Sequence, residues 1–162
     1  MNQPGPFSIR KARAEDADAI ARFNSAMALE TEHRELLPEV IGAGVRRMLA
    51  DPQAGFYLVA QAQGEPIGCL MVTYEWSDWR NGRFWYIQSL YVVAEWRRRG
   101  VFRGMYAHLK QMAAGDPDVC GWRLYVEKDN ANAQRTYLGL GMQLTDYLMM
   151  EELKPGVVFL RE

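Results

Sequence analysis

Residues 7–12, Phe7-Ser8-Ile9-Arg10-Lys11-Ala12, alternate apolar with polar, the period-two pattern of a short strand. The period then lengthens: Ile20, Phe23 and Met27 recur every three to four residues behind an acidic start at Glu15, Asp16 and Asp18, where the helix dipole favours negative charge. Pro38 opens a second helix with Ile41, Val45, Met48 and Leu49 along one side, and this helix ends near Asp51-Pro52. Residues 56–61 alternate again, Gln63-Gly64-Glu65-Pro66 is a turn, and residues 67–76 are β-rich, so the pair predicts a hairpin. Residues 77–82 carry turn chemistry, and residues 84–93 form a third long apolar and aromatic strand that adds a second hairpin.

Beyond this point Val101, Met105, Leu109 and Met112 make a helical stripe that runs to Gly115-Asp116-Pro117. A strand over residues 122–126 follows; Asp129-Asn130 opens a short helix closed by Gly141, and residues 142–153 read as a last strand. The order is β-α-α-β-β-β-α-β-α-β. Strand, crossover helix, strand places neighbouring strands parallel, so the expected class is α/β (α+β), a mixed, mostly antiparallel twisted sheet with helices on both faces. With 162 residues and no linker or repeat, residues 1–162 are expected to form one domain.

Composition narrows the function classes. Hydrophobic residues make up 49% and charged residues 24%, an ordinary globular balance. The net charge is −1, from 19 Lys+Arg and 20 Asp+Glu, so there is no general basic field for nucleic acid or anionic lipid, and any anion site must be local. Cys69 and Cys120 sit in apolar stretches and are expected to be buried packing residues. Without Cys or His at ligand spacing no metal is expected. No apolar run approaches the ~18 residues of a membrane span and no leader pattern opens the chain, so a cytoplasmic location is expected.

Two segments carry chemistry. The first ends a strand at Leu90-Tyr91-Val92, continues through Arg97-Arg98-Arg99-Gly100 and starts a helix at Val101-Phe102-Arg103. Amides at a helix N-terminus point outward, the dipole favours an anion, and a glycine allows close approach, so the segment forms an anion cradle if it is not merely a solvated turn. The second is Asn130-Ala131-Asn132-Ala133-Gln134-Arg135-Thr136-Tyr137-Leu138-Gly139-Leu140-Gly141-Met142. Together the two resemble the GNAT superfamily of acetyl-CoA N-acetyltransferases, which carries Arg/Gln-x-x-Gly-x-Gly/Ala and then Asn-x-x-Ala-x-x-x-Tyr-x-x-x-Gly-Phe. Arg97, Gly100, Asn130, Ala133, Tyr137 and Gly141 fall on matching positions; Phe102 stands where a small residue is usual and Met142 where Phe is usual.

The resemblance implies a GNAT-like fold over nearly the whole chain and acetyl-CoA as acetyl donor. The pyrophosphate would lie on the amides of Arg97, Arg98, Arg99, Gly100, Val101, Phe102 and Arg103, and the pantetheine would run along Leu90, Tyr91 and Val92. Asn130 would bind the pantetheine, cap its helix, or both. Tyr137 would donate a proton to the departing thiolate, whose acid has a pKa of about 8.5 if it resembles Cys, unless it only packs in the core. Direct attack in a ternary complex is implied.

For the amine proton, Glu75 is a candidate base and an ordinary strand-end charge in equal measure, while Tyr86 holds a position where some relatives carry Glu. Glu30, Glu32, Glu75 and Asp78, with aromatic residues including Trp76, lie in segments that wall the acceptor site in this family, which favours a small cationic amine. Two readings compete: a catalytically silent acetyl-CoA sensor of the same fold, and a protein N-acetyltransferase. A nucleotide-binding protein is disfavoured because neither Gly-x-x-x-x-Gly-Lys-[Ser/Thr] nor Gly-x-Gly-x-x-Gly occurs. Residues 157–160, Val157-Val158-Phe159-Leu160, would pair with a second subunit, giving a homodimer, or fold back on their own sheet.

Overall fold

The alternating segments form strands. In the computed structural model, which describes residues 6–162, β1 (Ser8–Lys11), β2 (Gly55–Ala62), β3 (Glu65–Ser77), β4 (Gly82–Val92) and β5 (Val119–Leu124) make one sheet in the order β1-β2-β3-β4-β5. β1 to β4 pair antiparallel. The Arg83 N–H donates to the Asp118 carbonyl at 2.7 Å, and Gly121 lies against the Phe84 ring, so the starts of β4 and β5 meet and these two strands run the same way. The crossover between them is α3 (Val101–Ala114), as the strand-helix-strand pattern predicts.

Side-chain alternation assigns the helices to faces. Tyr57, Val59 and Cys69 pack with Ala17, Ile20, Phe23 and Val45 from α1 (Ala17–Glu32) and α2 (Pro38–Ala50). The intervening Leu58, Ala60 and Leu70 point the other way and are equally buried. Ile9 pairs with Ala60 and therefore shares that second face; a side chain at Gly104 of α3 would meet Ile9 within 3.0 Å, so α3 covers it. Val101, Met105 and Leu109 of the expected stripe are fully buried there, and Met112 is partly buried.

The entry to α1 is fixed by an ion pair. Asp16, 4% exposed, accepts from Arg10 at 2.8 and 2.9 Å and from the Arg13 amide at 2.7 Å, joining β1 to the helix start. The Arg10 hydrogen bond holds the Asp16 carboxyl below its ordinary range, outweighing the cost of burial. The chain end folds back on its own chain: Leu36 and Leu160 form an antiparallel bridge, with Leu37 N–H on the Phe159 carbonyl and Arg161 N–H on the Glu35 carbonyl, each at 2.9 Å.

The fold divides into two compact units, Met1–Arg123 with Phe159–Glu162, and Leu124–Val158. The second holds α4 (Ala131–Gly139), closed by Gly141 at φ 95°. Three expectations are corrected. Residues 142–153 form no strand, because alternation records only a propensity and this segment has no ladder partner. β5 starts at Val119, ahead of the expected residue 122, since Gly121 is needed where the backbone meets the Phe84 ring. Cys120 is exposed, because it stands on the outermost strand; Cys69 is buried as expected, its thiol pushed up to about 12 by desolvation, and both are free.

Asp16→Asn should lower stability by about 2–3 kcal/mol, somewhat less than for a wholly buried pair because Arg10 keeps partial access to water. Since the folded-state pKa of Asp16 is depressed, its contribution is complete above the unfolded carboxylate pKa and is lost as pH falls through the folded one. Urea unfolding of both proteins at pH 7 and at pH 3 should therefore show the gap between them narrowing in acid.

Candidate acetyl-donor site at the junction of strand and helix

β4 does not end as a regular strand. Its register on β3 runs from Met71 opposite Gln88 to Cys69 opposite Tyr91, so β4 carries one more residue than β3 across this step, and Ser89 sits at φ 50°. This is a β-bulge, which turns the strand and interrupts its ladder, and such bulges are common beside active sites. A left-handed serine is strained, on the order of 1–3 kcal/mol, and persists because both flanks are paired. The Cys69 thiol donates to the Ser89 carbonyl at 3.4 Å.

From the bulge, Leu90, Tyr91 and Val92 lead into a 3-10 turn at Ala94–Trp96 and then to Arg98 at φ 60° and Gly100 at φ 81°. Gly100 is the N-cap of α3, and the first helical bond runs from the Gly104 amide to the Gly100 carbonyl at 2.9 Å. The amides of the first turn, from Val101 to Arg103, therefore point out along the axis past Gly100. A Cβ built on Gly100 meets nothing within 4 Å, so the space in front of that turn is open. Phe102 does not fill it: its ring lies 5.9 Å from that of Tyr106, whose hydroxyl accepts from Trp122 Nε1 at 2.7 Å.

The arginines divide by role. Arg97 Nη2 meets Glu30 Oε2 at 2.6 Å, its Nε donates to the Val92 carbonyl at 2.8 Å, and its guanidinium lies over the Tyr91 ring at 5.3 Å. Tyr91 donates its hydroxyl to the other Glu30 oxygen at 2.9 Å and stacks on Phe23 at 5.5 Å. The Arg97 hydrogen bond holds the Glu30 carboxyl below its ordinary range, and desolvation, then Glu30, raises the Tyr91 phenol. Arg99 packs over Trp96 at 5.3 Å, and among the described residues Arg98 and Arg103 have no ion-pair partner.

The expected acidic wall is not one cluster. Glu30 is bound to Arg97, and Glu32 is 3.7 Å from Arg34 at the exposed end of α1. Glu75 lies opposite Phe84 and accepts from Arg123 at 2.8 Å; at ~3.3 Å of rise per residue it stands roughly 20 Å along β4 from Tyr91. Asp78 caps its own hairpin loop through the Trp79 amide at 2.8 Å, next to the exposed Trp76. Tyr86, opposite Thr73, shares the α1/α2 face with Gln88, whose amide donates to Thr73 at 2.7 Å.

In the second unit Asn130 caps α4 by accepting from the Ala133 amide at 3.0 Å. Gln134 reaches back to the Lys128 carbonyl at 2.8 Å, and Arg135 bonds Asn132, so the helix start is well tied. Tyr137 is half-buried, and desolvation raises its phenol pKa. Among the described residues no group of three or more His, Cys, Asp or Glu could hold a metal, and no helix is long and apolar enough to cross a membrane.

Comparison with known proteins places this mixed sheet, with its bulged strand feeding an open helix N-terminus, in a family. The Acetyltransferase (GNAT) family model matches residues 17–142, and the chain belongs to that family. A possible acetyltransferase from Clostridium difficile 630 is 44% identical, with a TM-score of 0.86 over 91% of this chain and 97% of its own. A predicted acetyltransferase from Clostridium acetobutylicum, solved with acetyl-CoA, is 17% identical with a TM-score of 0.75 over 90% and 96%. The aminoglycoside N-acetyltransferase AAC(6')-Iy, solved with CoA, is 14% identical with a TM-score of 0.73 over 95% and 99%. A search of curated proteins gives no match.

The bulge depends on a close backbone approach. A methyl at Gly68 would lie 2.8 Å from the Tyr91 carbonyl and 3.4 Å from Val92, against backbone that cannot swing aside. Gly68→Ala should cost about 1–3 kcal/mol by overpacking. Chemical denaturation measures it, and a cost near zero would show that the strand end yields freely.

Proposed function

We propose that this chain, acting as one domain over residues 1–162, transfers an acetyl group from acetyl-CoA to a primary amine, by direct attack while both substrates are bound. The observation that carries the reading is the junction of β4 with α3: a bulge, two left-handed residues, and a helix N-terminus facing open space among arginines. Such a terminus binds a pyrophosphate through its amides, and Arg98, Arg99 and Arg103 add charge. The extended backbone at Leu90, Tyr91 and Val92 suits a pantetheine arm lying alongside as a strand would. Relatives with the same fold, solved with CoA and with acetyl-CoA, support this choice of donor.

In the reaction the amine nitrogen forms a bond to the acetyl carbon, the carbon–sulfur bond breaks, and the sulfur leaves as a thiolate. Tyr137 gives that thiolate its proton and is reprotonated from solvent. Tyr137 is half-buried and desolvation raises its phenol pKa, so it carries its proton until the thiolate forms beside it. The amine proton leaves through water along the α1/α2 face, where Tyr86 stands and where Glu75, which accepts from Arg123 through Oε1, takes it up through Oε2. Asn130 holds the start of α4 and meets the pantetheine. The acceptor is a small cationic amine, drawn by Asp78 and the face of Trp76 at the β3–β4 hairpin.

Gly100→Asp tests the donor site. A carboxylate in the cradle, added at a φ of 81°, should reduce CoA affinity by at least tenfold in calorimetry; unchanged affinity would move the phosphate site elsewhere. Tyr137→Phe tests the chemistry. It should fold and bind acetyl-CoA normally while kcat falls by roughly 10²–10⁴, the usual share of general acid catalysis. Full turnover with full affinity would leave Tyr137 a packing residue.

A further inference from the structure

Arg97 has its charge and two of its donors already engaged within the protein. Its guanidinium bonds Glu30 and the Val92 carbonyl and covers the Tyr91 ring, while Glu30 also receives the Tyr91 hydroxyl. Glu30 belongs to the last turn of α1, whereas Tyr91 and Val92 lie just before the 3-10 turn and Arg97 just after it. One carboxylate therefore gathers both ends of the turn that carries the chain from the β4 bulge to the α3 cradle. Phe23, two turns earlier on the same face of α1, holds the same strand end through its stack on Tyr91.

We infer that Glu30 is a positioning residue for the acetyl donor and that Arg97 is its internal tie and not a phosphate ligand. The inference rests on the donor reading above. It assigns the work of charge attraction to Arg98, Arg99 and Arg103, which have no carboxylate partner among the described residues, and it takes Glu30 out of the acceptor wall. Two left-handed residues in this loop, Arg98 and Gly100, make the cradle a shape the chain would not hold unaided, so anchoring both ends of the preceding turn orders the amides before the donor arrives.

The two roles open to Arg97 give opposite signs. If Arg97 is a tie, Glu30→Ala and Arg97→Met each weaken CoA binding about two- to fivefold, the range of a half-exposed ion pair, and the double variant is no weaker than the worse single one. Donor KM should rise while acceptor KM stays put, and Glu30→Gln, which keeps the shape and hydrogen-bonding capacity, should recover part of the loss. Calorimetry with CoA and steady-state kinetics on the full chain read these effects. Melting temperatures of the four proteins without ligand read the tie itself, which predicts non-additive shifts. Glu30→Ala binding CoA as tightly as wild type or more tightly, with Arg97→Met weaker, would make Arg97 a phosphate ligand and overturn the inference. A rise confined to acceptor KM, or additive melting shifts, would overturn it as well. A wild-type chain that binds no CoA would instead refute the donor reading from which the positioning role follows.

Discussion

Leu58, Val59 and Ala60 are each withdrawn completely from water, as are Cys69 and Leu70 on the strand beside them. Consecutive strand residues point to opposite faces, so this sheet is viable only if both faces are covered at once. Each of the larger side chains contributes about 1.5–3 kcal/mol on burial, far more than any surface pair in the molecule. α1 and α2 cover one face before β2 is made, and the other is left for a helix that must come from the end of β4. The chain therefore has to leave the sheet at Val92, cross to the second face and return as β5 beside β4. That forced departure creates a helix N-terminus at the end of an interior strand, with the unpaired amides of its first turn facing outward.

The departure is abrupt, and the local chemistry follows from that. Within twelve residues, from Ser89 to Gly100, the backbone takes a positive φ three times, only one of them at a glycine. Such angles survive where neighbours over-determine them. Here the neighbours are the paired flanks of the bulge, the Cys69 thiol on the Ser89 carbonyl, the close contact of Gly68 with Tyr91, and the Glu30–Arg97 pair. The bulge also interrupts the β3–β4 ladder, which resumes at Cys69 opposite Tyr91 and Gly68 opposite Val92, so the extra residue at Ser89 is held from both sides.

Most of the fold was legible because its signals are periodic. The helix stripes at Ile20 and Phe23, at Val45, and at Val101, Met105 and Leu109 turned inward as their spacing requires, and the two hairpins close at the turns that Gln63-Gly64 and Asp78-Asn81 mark. What failed was aperiodic or relational. Ser89 sits in a run of good strand formers, and nothing in Gln88-Ser89-Leu90 signals an extra residue, because a bulge is decided by the register of the partner strand. Alternation over residues 142–153 states a preference for strand without stating a partner. The separation of Glu30 and Glu32 from Glu75 and Asp78, which stand toward opposite ends of β4, is likewise not written in the sequence.

The arginine run illustrates the same limit at the scale of one side chain. Arg97, Arg98 and Arg99 are chemically identical in the sequence, yet the turn between Val93 and Gly100 sends them to different tasks. Arg97 leaves the 3-10 turn in an extended conformation with its guanidinium over Tyr91, while Arg98 is left-handed and Arg99 packs over Trp96. A charge fully met by Glu30 contributes little at a distance, since the pair presents a dipole instead of a monopole and exposed dipoles are screened within about 8–10 Å at ordinary salt. In a protein whose net charge is −1, attraction for an anionic donor then depends on the few cations that the fold leaves unneutralised and on amides whose partial charges are fixed by helix geometry. The matched arginine of the motif is for this reason already engaged within the protein, by a glutamate from another element, sixty-seven residues earlier in the chain.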